Sequence, residues 1–438
     1  MSFTIVKAIK SSRRSLRINP ILADKIGLNK KRKRIGICYG NRQYEVTMYI
    51  TKKVSKEVIK IDQSSIDKLM IDTCYRYNCQ YEDGKLIIGP LIGLLFTHKK
   101  RYLEKRFSNE DKKKRYDVYA KMMEKIGGVI YFFATDQINY RKKQIKGYVY
   151  NKSTSTWDEK VFPFPGVIYR KLSVSKELEK KMKGKILNSY RFNKYEFWKM
   201  LKDHDKIAKH LPETTNEITK SRLDDLLRNY DTVILKHTKK KLGYGIYLIT
   251  REKDNYIVTK NLTYDSICIS NDEMVEFLEK HKDNSIFQQF ISLKTYENRK
   301  IDYRLIFTKD VKEKWECKGI LGWLGAVGGF TIHTLVETNG RTLEEMLKIQ
   351  FDYTPEQIAR KKEEMIKIGK EVTVALDATE HLYMDFGLDF GLDENEKIWI
   401  FEANVHQQLL SPLYLDDYDM FEQIIECVIR YLEKKAMS

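Results

Sequence analysis

Three polar side chains near the C-terminal end have types and spacing that suit a divalent cation. Glu402 and Asn404 are two apart in the apolar run 397–404, so on a strand they share one face. Asp389 lies in a second apolar run, and the polar turn between the runs predicts a hairpin that places it opposite them. Oxygen ligands suit Mg²⁺, and buried carboxylates need a compensating cation. We therefore predict a metal site here; an exposed hairpin face is the alternative.

A second group of candidates contains cations placed to meet phosphate. An apolar strand ends on Lys236, and a basic loop with Gly243 and Gly245 follows, in which backbone N–H groups could approach an anion. The spacing differs from that of a P-loop lysine, and a hairpin with a basic turn is the alternative. Lys194 stands at a predicted helix start and is a candidate phosphate contact, although lysine is common at such positions.

A third group suggests contacts to a substrate. Asp302 and Arg304 alternate on one predicted strand, so Arg304 could reach a phosphate or a carboxylate; a salt bridge between strands is the alternative. The glycine-rich run 325–329, which includes Gly328, lies shortly before His333. That histidine could hold a carboxylate or accept a proton, and a buried structural histidine is the competing interpretation.

The elements that must position these residues can be read from hydrophobic periodicity and turn signals. Residues 1–88 have short strands typical of a β-rich domain, and Gly89-Pro90 marks a boundary. A strand, a helix and a strand over 91–134 indicate a βαβ unit with a parallel sheet. Further on we predict a helix over 195–211, strands at 233–235, 255–268, 286–291 and 303–308, a helix that starts with the capping box Thr354-Pro355-Glu356-Gln357, and a last helix over about 416–434.

Composition limits the remaining possibilities. The chain has 438 residues, which favours two or three domains, and 42% hydrophobic residues, which argues against disorder. No apolar run reaches the roughly 20 residues of a membrane helix, and the N-terminus does not look like a secretory signal, so we expect a cytoplasmic protein. The six scattered cysteines are expected to be reduced thiols.

The positive charge is concentrated near the N-terminus. Of the formal net charge of +19, residues 1–120 carry +16, from 28 Lys and Arg against 12 Asp and Glu. Such a gradient predicts an acidic partner, for example an acidic carrier protein that presents the substrate. Nucleic acid is less expected, because aromatic residues are not interleaved with the basic runs. A basic surface that is merely solvated is the alternative.

The order of these motifs resembles the ATP-grasp superfamily, and more closely its endospore-coat-associated YheC/YheD-type branch, from about Gly89 to the C-terminus. The resemblance implies a multidomain α+β and α/β protein in which two α+β lobes of an ATP-grasp domain (186–438) sandwich ATP. A pre-ATP-grasp βαβ domain (89–185) and a small basic β-rich domain (1–88) would precede it.

The resemblance also implies roles for individual residues. Arg304 and Lys236 would act on the transferred phosphoryl group, and Asp389, Glu402 and Asn404 would hold one or two Mg²⁺. ATP would be held by Lys194, Lys236, Lys241, Gly243, Gly245, Gln288, Gln289, Phe290 and Ile291, and the substrate by Asp302, Trp323, Gly328 and His333.

The implied activity is an ADP-forming ligase that activates a small-molecule or peptide carboxylate as an acyl phosphate for attack by an amine or thiol. The chain departs from the branch on the substrate side. Trp323 stands where arginine is common, His333 where asparagine is, and Gln407-Gln408 where Pro-Gly is usual. The sequence therefore does not identify the acceptor, and it does not decide whether the protein forms a homodimer. A coat-associated protein that has lost turnover and a polyanion-binding module are the competing functions.

Overall fold

The computed structural model describes residues 3–28, 33–240, 243–261, 263–329, 340–405 and 408–438. They form two compact units. The first comprises Met1–Ser189, Lys309–Lys314 and Glu422–Ser438, and the second comprises Tyr190–Thr308 and Trp315–Phe421. Among the described residues, none of the helices combines the length and apolar character needed to cross a bilayer.

The first part of the chain closes into a β-barrel. Its elements are β1 (Thr4–Ile9), β2 (Ser15–Ile18), α1 (Pro20–Lys25), β3 (Arg34–Tyr39), β4 (Arg42–Ile50), β5 (Val58–Asp62), α2 (Gln63–Leu69), β6 (Arg76–Glu82) and β7 (Lys85–Gly89). The strand order is β1-β5-β2-β4-β3-β7-β6, and β6 pairs with β1 to close the barrel. Alternate residues such as Leu16, Ile18, Ile59 and Ile61 fill its interior. The predicted β-rich character of this region is confirmed.

The next sheet has seven strands. Its elements are β8 (Leu91–Thr97), α3 (Lys100–Phe107), α4 (Glu110–Ile126), β9 (Val129–Ala134), β10 (Ile138–Asn139), β11 (Gln144–Asn151), β12 (Thr156–Pro163), β13 (Val167–Arg170), α5 (Lys176–Lys181) and β14 (Ile186–Leu187). The order is β10-β11-β9-β8-β13-β14, with β12 beside β11. β8 and β9 are parallel neighbours, which confirms the predicted βαβ unit.

The second unit begins with two short helices and a six-stranded sheet. Its elements are α6 (Lys194–Leu201), α7 (Asp205–Ala208), β15 (Thr214–Thr215), α8 (Lys220–Asn229), β16 (Thr232–His237), β17 (Ile246–Glu252), β18 (Asn255–Lys260), β19 (Ser266–Ile269), α9 (Asn271–His281) and β20 (Ser285–Gln289). The order is β15-β20-β16-β17-β18-β19. The single helix predicted over 195–211 was wrong, because the chain turns after Leu201 and α7 ends at Ala208.

A second six-stranded sheet completes this unit. Its elements are β21 (Thr295–Tyr296), β22 (Arg299–Lys309), β23 (Trp315–Val327), β24 (Gly340–Thr342), α10 (Leu343–Phe351), α11 (Pro355–Asp377), β25 (Asp385–Leu392) and β26 (Ile398–Asn404), followed by a 3₁₀ segment (Gln408–Leu415). The last helix, α12 (Tyr418–Met437), belongs to the first unit from Glu422 onward. The order is β24-β23-β22-β25-β26, with β21 beside β22.

Helix α11 covers this sheet and anchors its core. The predicted capping box is present: Thr354 accepts from the backbone of Gln357, whose side chain accepts from the backbone of Thr354. Gly369 allows a close approach, since a Cβ there would lie 2.6 Å from a ring carbon of Phe307 on β22. Every residue of β25 is buried, so a charge on that strand needs a partner.

Candidate functional site

Three charged side chains form a row across neighbouring strands of the second unit. Arg304 on β22 lies directly opposite Asp389 on β25, which lies directly opposite Glu402 on β26. Residues opposite each other in a sheet point to the same face. The predicted hairpin and its register, with Asp389 facing Glu402, are therefore present. A register shift after Asp389 marks a bulge.

Arg304 donates two hydrogen bonds to Asp389. Its Nε donates to one carboxylate oxygen and its Nη2 donates to the other at 2.8 Å. The Asp389 side chain is 5% exposed and that of Arg304 is 13% exposed, so the pair is largely shielded from water. A forked pair of this kind is both strong and geometrically specific. The sequence predicted both residues for the site, and the salt bridge between strands that was the alternative for Arg304 is present, with Asp389 as the partner.

Asn404 and Lys194 extend this cluster. The Asn404 amide donates to Asp389 at 3.1 Å and to Glu402 at 3.0 Å, so it ties the two carboxylates together. The Lys194 ammonium lies 3.6 Å from the other oxygen of Glu402. Lys194 is the first residue of α6, where the side chain of Asn193 caps the helix in a capping box. The cap therefore fixes the position from which Lys194 reaches the row.

The charges in this cluster act on one another. Burial disfavours a charged Arg304, but Asp389 beside it, with Asp302 and Glu402 farther off, raises the pKa of Arg304 above its ordinary value. Asp302 is itself buried and lies two residues before Arg304 on the same strand face. Arg304 thus stays charged among three carboxylates.

Lys236 on β16 lies in a second group of interacting polar side chains. Its ammonium donates to the side-chain oxygen of Gln288 at 2.6 Å, and the Gln288 amide donates to the hydroxyl of Thr214 at 3.0 Å. Burial, followed by repulsion from Lys194, lowers the pKa of Lys236 to about 8, although Glu402 opposes the shift. The ring of Phe401 lies 5.9 Å from the ammonium. The predicted residues Lys236 and Gln288 are thus in direct contact.

Lys300 belongs to the same region and was missed in the sequence. Its ammonium lies 4.1 Å from the centre of the Phe290 ring, and burial together with repulsion from Lys236 lowers its pKa to about 8. The signal was present, because Lys300, Asp302 and Arg304 alternate along β22 and share a face. Two partly buried lysines near one another are costly unless an anion meets them.

The predicted glycine loop follows β16. Gly243 and Gly245 have φ of +77° and +67°, a conformation that favours glycine. A Cβ on Gly245 would lie 2.9 Å from the Lys240 side chain. Lys194 donates to the carbonyl of Lys240 at 3.3 Å, which links the loop to the charged row. Lys241 lies outside the described residues.

Of the predicted ATP-binding residues, Gln288 and Gln289 end β20, and Phe290 and Ile291 follow it. The N–H groups of Gln289 and Phe290 donate to the carbonyls of Glu213 and Thr232. These two N–H groups therefore serve the sheet, and other backbone groups of the segment would have to meet an adenine ring. Ile291 packs in a small apolar cluster with Leu293, Trp323, Trp399 and Phe401.

The substrate-side predictions are only partly described. Trp323 is buried in that apolar cluster and meets the ring of Tyr414 edge to face. Gly328 has φ of +69° and donates to the carbonyl of Asn298 at 2.8 Å. His333 and Gln407 lie outside the described residues.

The predicted metal ligands fit a hard cation in chemical type. Two carboxylates and one amide lie in hydrogen-bond contact on one face, and exchanging the amide atoms of Asn404 would turn its oxygen toward them. Arg304 and Lys194 supply the compensating charge in this structure. Within the described ranges no group of three or more His, Cys, Asp or Glu is clustered as a metal site, and the predicted set holds only two.

Comparison with known proteins finds two relatives from Bacillus subtilis and overlaps with solved structures. It is 25% identical over 377 residues to the endospore coat-associated protein YheD of Bacillus subtilis, covering 80% of this chain and 79% of the relative. It is 22% identical over 303 residues to the endospore coat-associated protein YheC of the same organism, covering 66% and 82%. D-alanyl-alanine synthetase A from Vibrio cholerae overlaps with a TM-score of 0.43 at 11% identity, covering 78% of this chain and 98% of that one.

The family comparison agrees with the predicted motif order. The model of the YheC/D-like ATP-grasp family matches residues 183–434, which is more than half of the chain and includes every residue of the charged row. The predicted multidomain fold with an ATP-grasp domain is thereby confirmed. The chain is a member of the YheC/D-like ATP-grasp family.

Proposed function

We propose that the protein is an ADP-forming ligase, which uses ATP to activate a substrate carboxylate as an acyl phosphate and then joins it to an amine or thiol. The row of Arg304, Asp389 and Glu402, with Lys194 at its end, is the observation that carries this proposal. It sets cations and carboxylates on one face, as the transfer of a highly charged phosphoryl group requires.

Lysine side chains would make most of the contacts to the phosphates of ATP. Lys236 and Lys300 have lowered pKa values because they are buried, so a bound polyphosphate would favour their charged forms. Lys194 would reach the phosphates beside Glu402, and the loop with Gly243 and Gly245 would lie over them. The Lys236–Gln288 contact would hold the ammonium in place before ATP arrives.

The carboxylates would hold the metal. Asp389, Glu402 and Asn404 would bind one or two Mg²⁺, which when bound neutralises phosphate charge and orients the transferred group. Glu402 is the more accessible carboxylate, 27% exposed against 5% for Asp389. Asp389 would also orient Arg304 through their forked contact.

Arg304 would act on the transferred group. A carboxylate oxygen of the substrate attacks the γ-phosphorus, the bond to the bridging oxygen breaks, and ADP leaves. The amine or thiol then attacks the acyl carbon and phosphate leaves, while the nucleophile loses its proton. Arg304 would stabilise the negative charge in both steps, so catalysis is mainly positioning and electrostatics.

An acceptor screen tests the proposal. Purified protein is incubated with ATP, Mg²⁺ and pools of carboxylates and amines or thiols, and ADP release and new products are followed by mass spectrometry. We expect ADP release that needs both substrates and a product whose mass equals their sum minus water. ADP release without any new covalent product would contradict the ligase proposal.

A coat-associated protein that binds nucleotide without turnover is the second candidate. The observation that favours it is the engagement of both Asp389 oxygens by Arg304. The names of the relatives YheD and YheC support a location at the endospore coat. For this candidate, tight ATP binding would accompany no ATP consumption with any acceptor pool. Cytoplasmic location stays a prediction.

A further inference from the structure

A row of like charges crosses the outer face of the barrel. Lys7 on β1 lies directly opposite Lys60 on β5, and Lys60 lies directly opposite Arg17 on β2. The row continues to Tyr49 on β4, which is opposite Arg17. The flanking residues of β2 and β5 are buried, so these side chains point away from the barrel interior.

This arrangement is unfavourable for the isolated barrel. Like charges directly opposite one another in a sheet are destabilising, by an amount comparable to the roughly 0.2–1 kcal/mol that favourable pairs contribute. Within the part of the chain that the structure describes, neither Lys7, Lys60 nor Arg17 makes an ion pair or a side-chain hydrogen bond. Residues 1–89 hold 19 Lys and Arg against 8 Asp and Glu, so the surroundings do not neutralise the row.

A depression of about 440 Å³ lies at one end of the row. It adds two more cations, Arg13 and Lys53, and neutral hydroxyl donors to the charges of Arg17 and Lys60. Its lining comprises Ser11, Ser12, Arg13, Ser15, Arg17, Tyr49, Thr51, Lys53, Val54 and Lys60, with no carboxylate among them. Guanidinium, ammonium and hydroxyl donors around one concavity suit a ligand with several anionic oxygens.

The turn that carries Arg13 is held by its own hydrogen bonds. The Ser11 hydroxyl donates to the carbonyl of Arg13 at 2.8 Å, and the N–H of Arg13 donates back to that hydroxyl at 3.2 Å. Arg14, the next residue, instead stacks on the ring of Tyr44 at 4.7 Å. Of the two neighbouring arginines, Arg14 is thus engaged within the protein, whereas Arg13 lines the depression.

We propose that this basic surface, made of Lys7, Arg13, Arg17, Lys53 and Lys60, docks an acidic segment of a partner polypeptide. Three of its cations stand on neighbouring strands about 4.8 Å apart, so the row spans about 10 Å. That length suits several carboxylates along an extended chain better than a single anion. The depression has the volume of an ordinary ligand site, which suits a short segment rather than a whole domain.

Single-stranded nucleic acid is the other polyanion to consider, and the surface fits it less well. Binding of single strands relies on successive aromatic platforms on which bases stack. Tyr49 is the one aromatic side chain among the residues that line the depression, and its side chain is half-exposed. The surface thus offers charge without a stacking series. The proposal is independent of the ATP site.

Binding of an acidic peptide to the full-length protein tests this inference. The probes are a fluorescent Glu-rich peptide of about twelve residues, a Gln-rich peptide of equal length and an oligothymidylate of about twelve nucleotides, followed by anisotropy at several salt concentrations. The variant R17E/K60E removes the centre of the row. The control R34E/R76E changes net charge equally at exposed barrel positions opposite Thr47 and Ile5.

The expected result is saturable binding of the Glu-rich peptide that weakens with salt, and no binding of the Gln-rich peptide. R17E/K60E should weaken binding at least about tenfold, which is about 1.4 kcal/mol, and R34E/R76E less than about threefold. Equal losses in the two variants, tighter binding of the oligothymidylate, or no saturable binding would each overturn the inference. Circular dichroism and thermal unfolding of both variants exclude loss of the fold as the cause.

Discussion

Each unit contains a row of charged side chains across neighbouring strands, and the two rows differ in the signs of their charges. In the second unit Arg304, Asp389 and Glu402 alternate across three strands, and each has a partner within the protein. In the barrel, Lys7, Lys60 and Arg17 occupy the same kind of cross-strand positions with one sign only.

The charges of the row in the second unit are neutralised by one another before any ligand binds. The positive charges of the barrel row are neutralised only when an anionic ligand binds. Paired buried charges are held in fixed geometry, which is what transfer of a phosphoryl group needs. Exposed like charges keep their side chains free and gain most from an incoming anion, which suits recognition of a flexible acidic chain. The following substitutions test each half of this comparison.

Glu402→Gln should have the largest effect. It keeps the size of the side chain and a hydrogen-bonding oxygen for Asn404 but removes the charge that would face Mg²⁺ and Lys194. Since electrostatic groups of this kind are worth about 10²–10³ in rate, we expect ATP turnover to fall by about that factor. The measurement is acceptor-dependent ADP release.

The control for this experiment is Glu394→Gln in the turn of the same hairpin, where Glu394 pairs with Lys294 at the surface. It should leave turnover within about twofold of the original, as exposed pairs contribute little. Turnover of Glu402→Gln within about threefold of the unmodified protein would remove Glu402 from the site.

Arg304→Ala tests whether the site row is held by its own pairing. It leaves Asp389 buried without its main partner, and breaking such a pair costs about 3–5 kcal/mol. We expect a large fall in the urea midpoint of the second unit, followed by tryptophan fluorescence. The double variant R304A/D389A should recover part of the loss.

An exposed ion pair supplies the control. Lys282→Ala removes a pair with Glu279 in which both side chains are more than half exposed, and it should cost less than about 1 kcal/mol. A similar small cost for Arg304→Ala would show that Asp389 does not depend on Arg304.

The pH dependence of nucleotide affinity tests the two partly buried lysines, Lys236 and Lys300. Lys236 and Lys300 have pKa values of about 8, below the ordinary value of 10.5, because both are buried. They lose their protons as pH rises from 7 to 9, so ATP affinity should fall by about tenfold or more over that range. Calorimetric titration with ATP measures it, and K236M/K300M should flatten the dependence.

The same pKa shifts predict the opposite sign for stability. The unfolded chain keeps these protons up to about pH 10.5 while the folded chain releases them near pH 8. The unfolded state therefore binds more protons between these values, and stability should rise with pH in that window. A pH-independent ATP affinity together with flat stability would show that neither lysine is buried as described.

The local parts of the site could be predicted from the sequence. Period-two alternation and a polar turn sufficed to place Asp389 opposite Glu402, and the helix start predicted at Lys194 is the start of α6. Such signals act within a few residues. The roles assigned to the predicted site residues stay predictions, although their placement on strand ends and helix starts follows from these patterns.

The remaining features depend on distant parts of the chain. The Arg304–Asp389 contact joins residues 85 apart, and it exists only because β22 lies beside β25. The break between α6 and α7 was hidden because Phe197 and Leu201 before it, and Ile207 and Leu211 after it, are each four residues apart, and all four enter the same core. Periodicity records which residues are buried, and it does not record where the backbone turns between them.

Arg17→Glu tests the barrel row and has the smallest expected effect. It replaces one cation by a carboxylate directly opposite Lys60, so a repulsive cross-strand pair becomes an attractive one. We expect a gain of about 0.2–1 kcal/mol, seen as a rise in the unfolding midpoint of the barrel, together with weaker binding of an acidic peptide. Arg76→Glu, opposite Ile5, should change neither appreciably. Opposite signs for stability and binding would distinguish a recognition surface from a structural one, since loss of a structural residue lowers both. If Arg17→Glu lowered stability, the cations of the row would be compensated within the barrel, and the contrast with the site row would not hold.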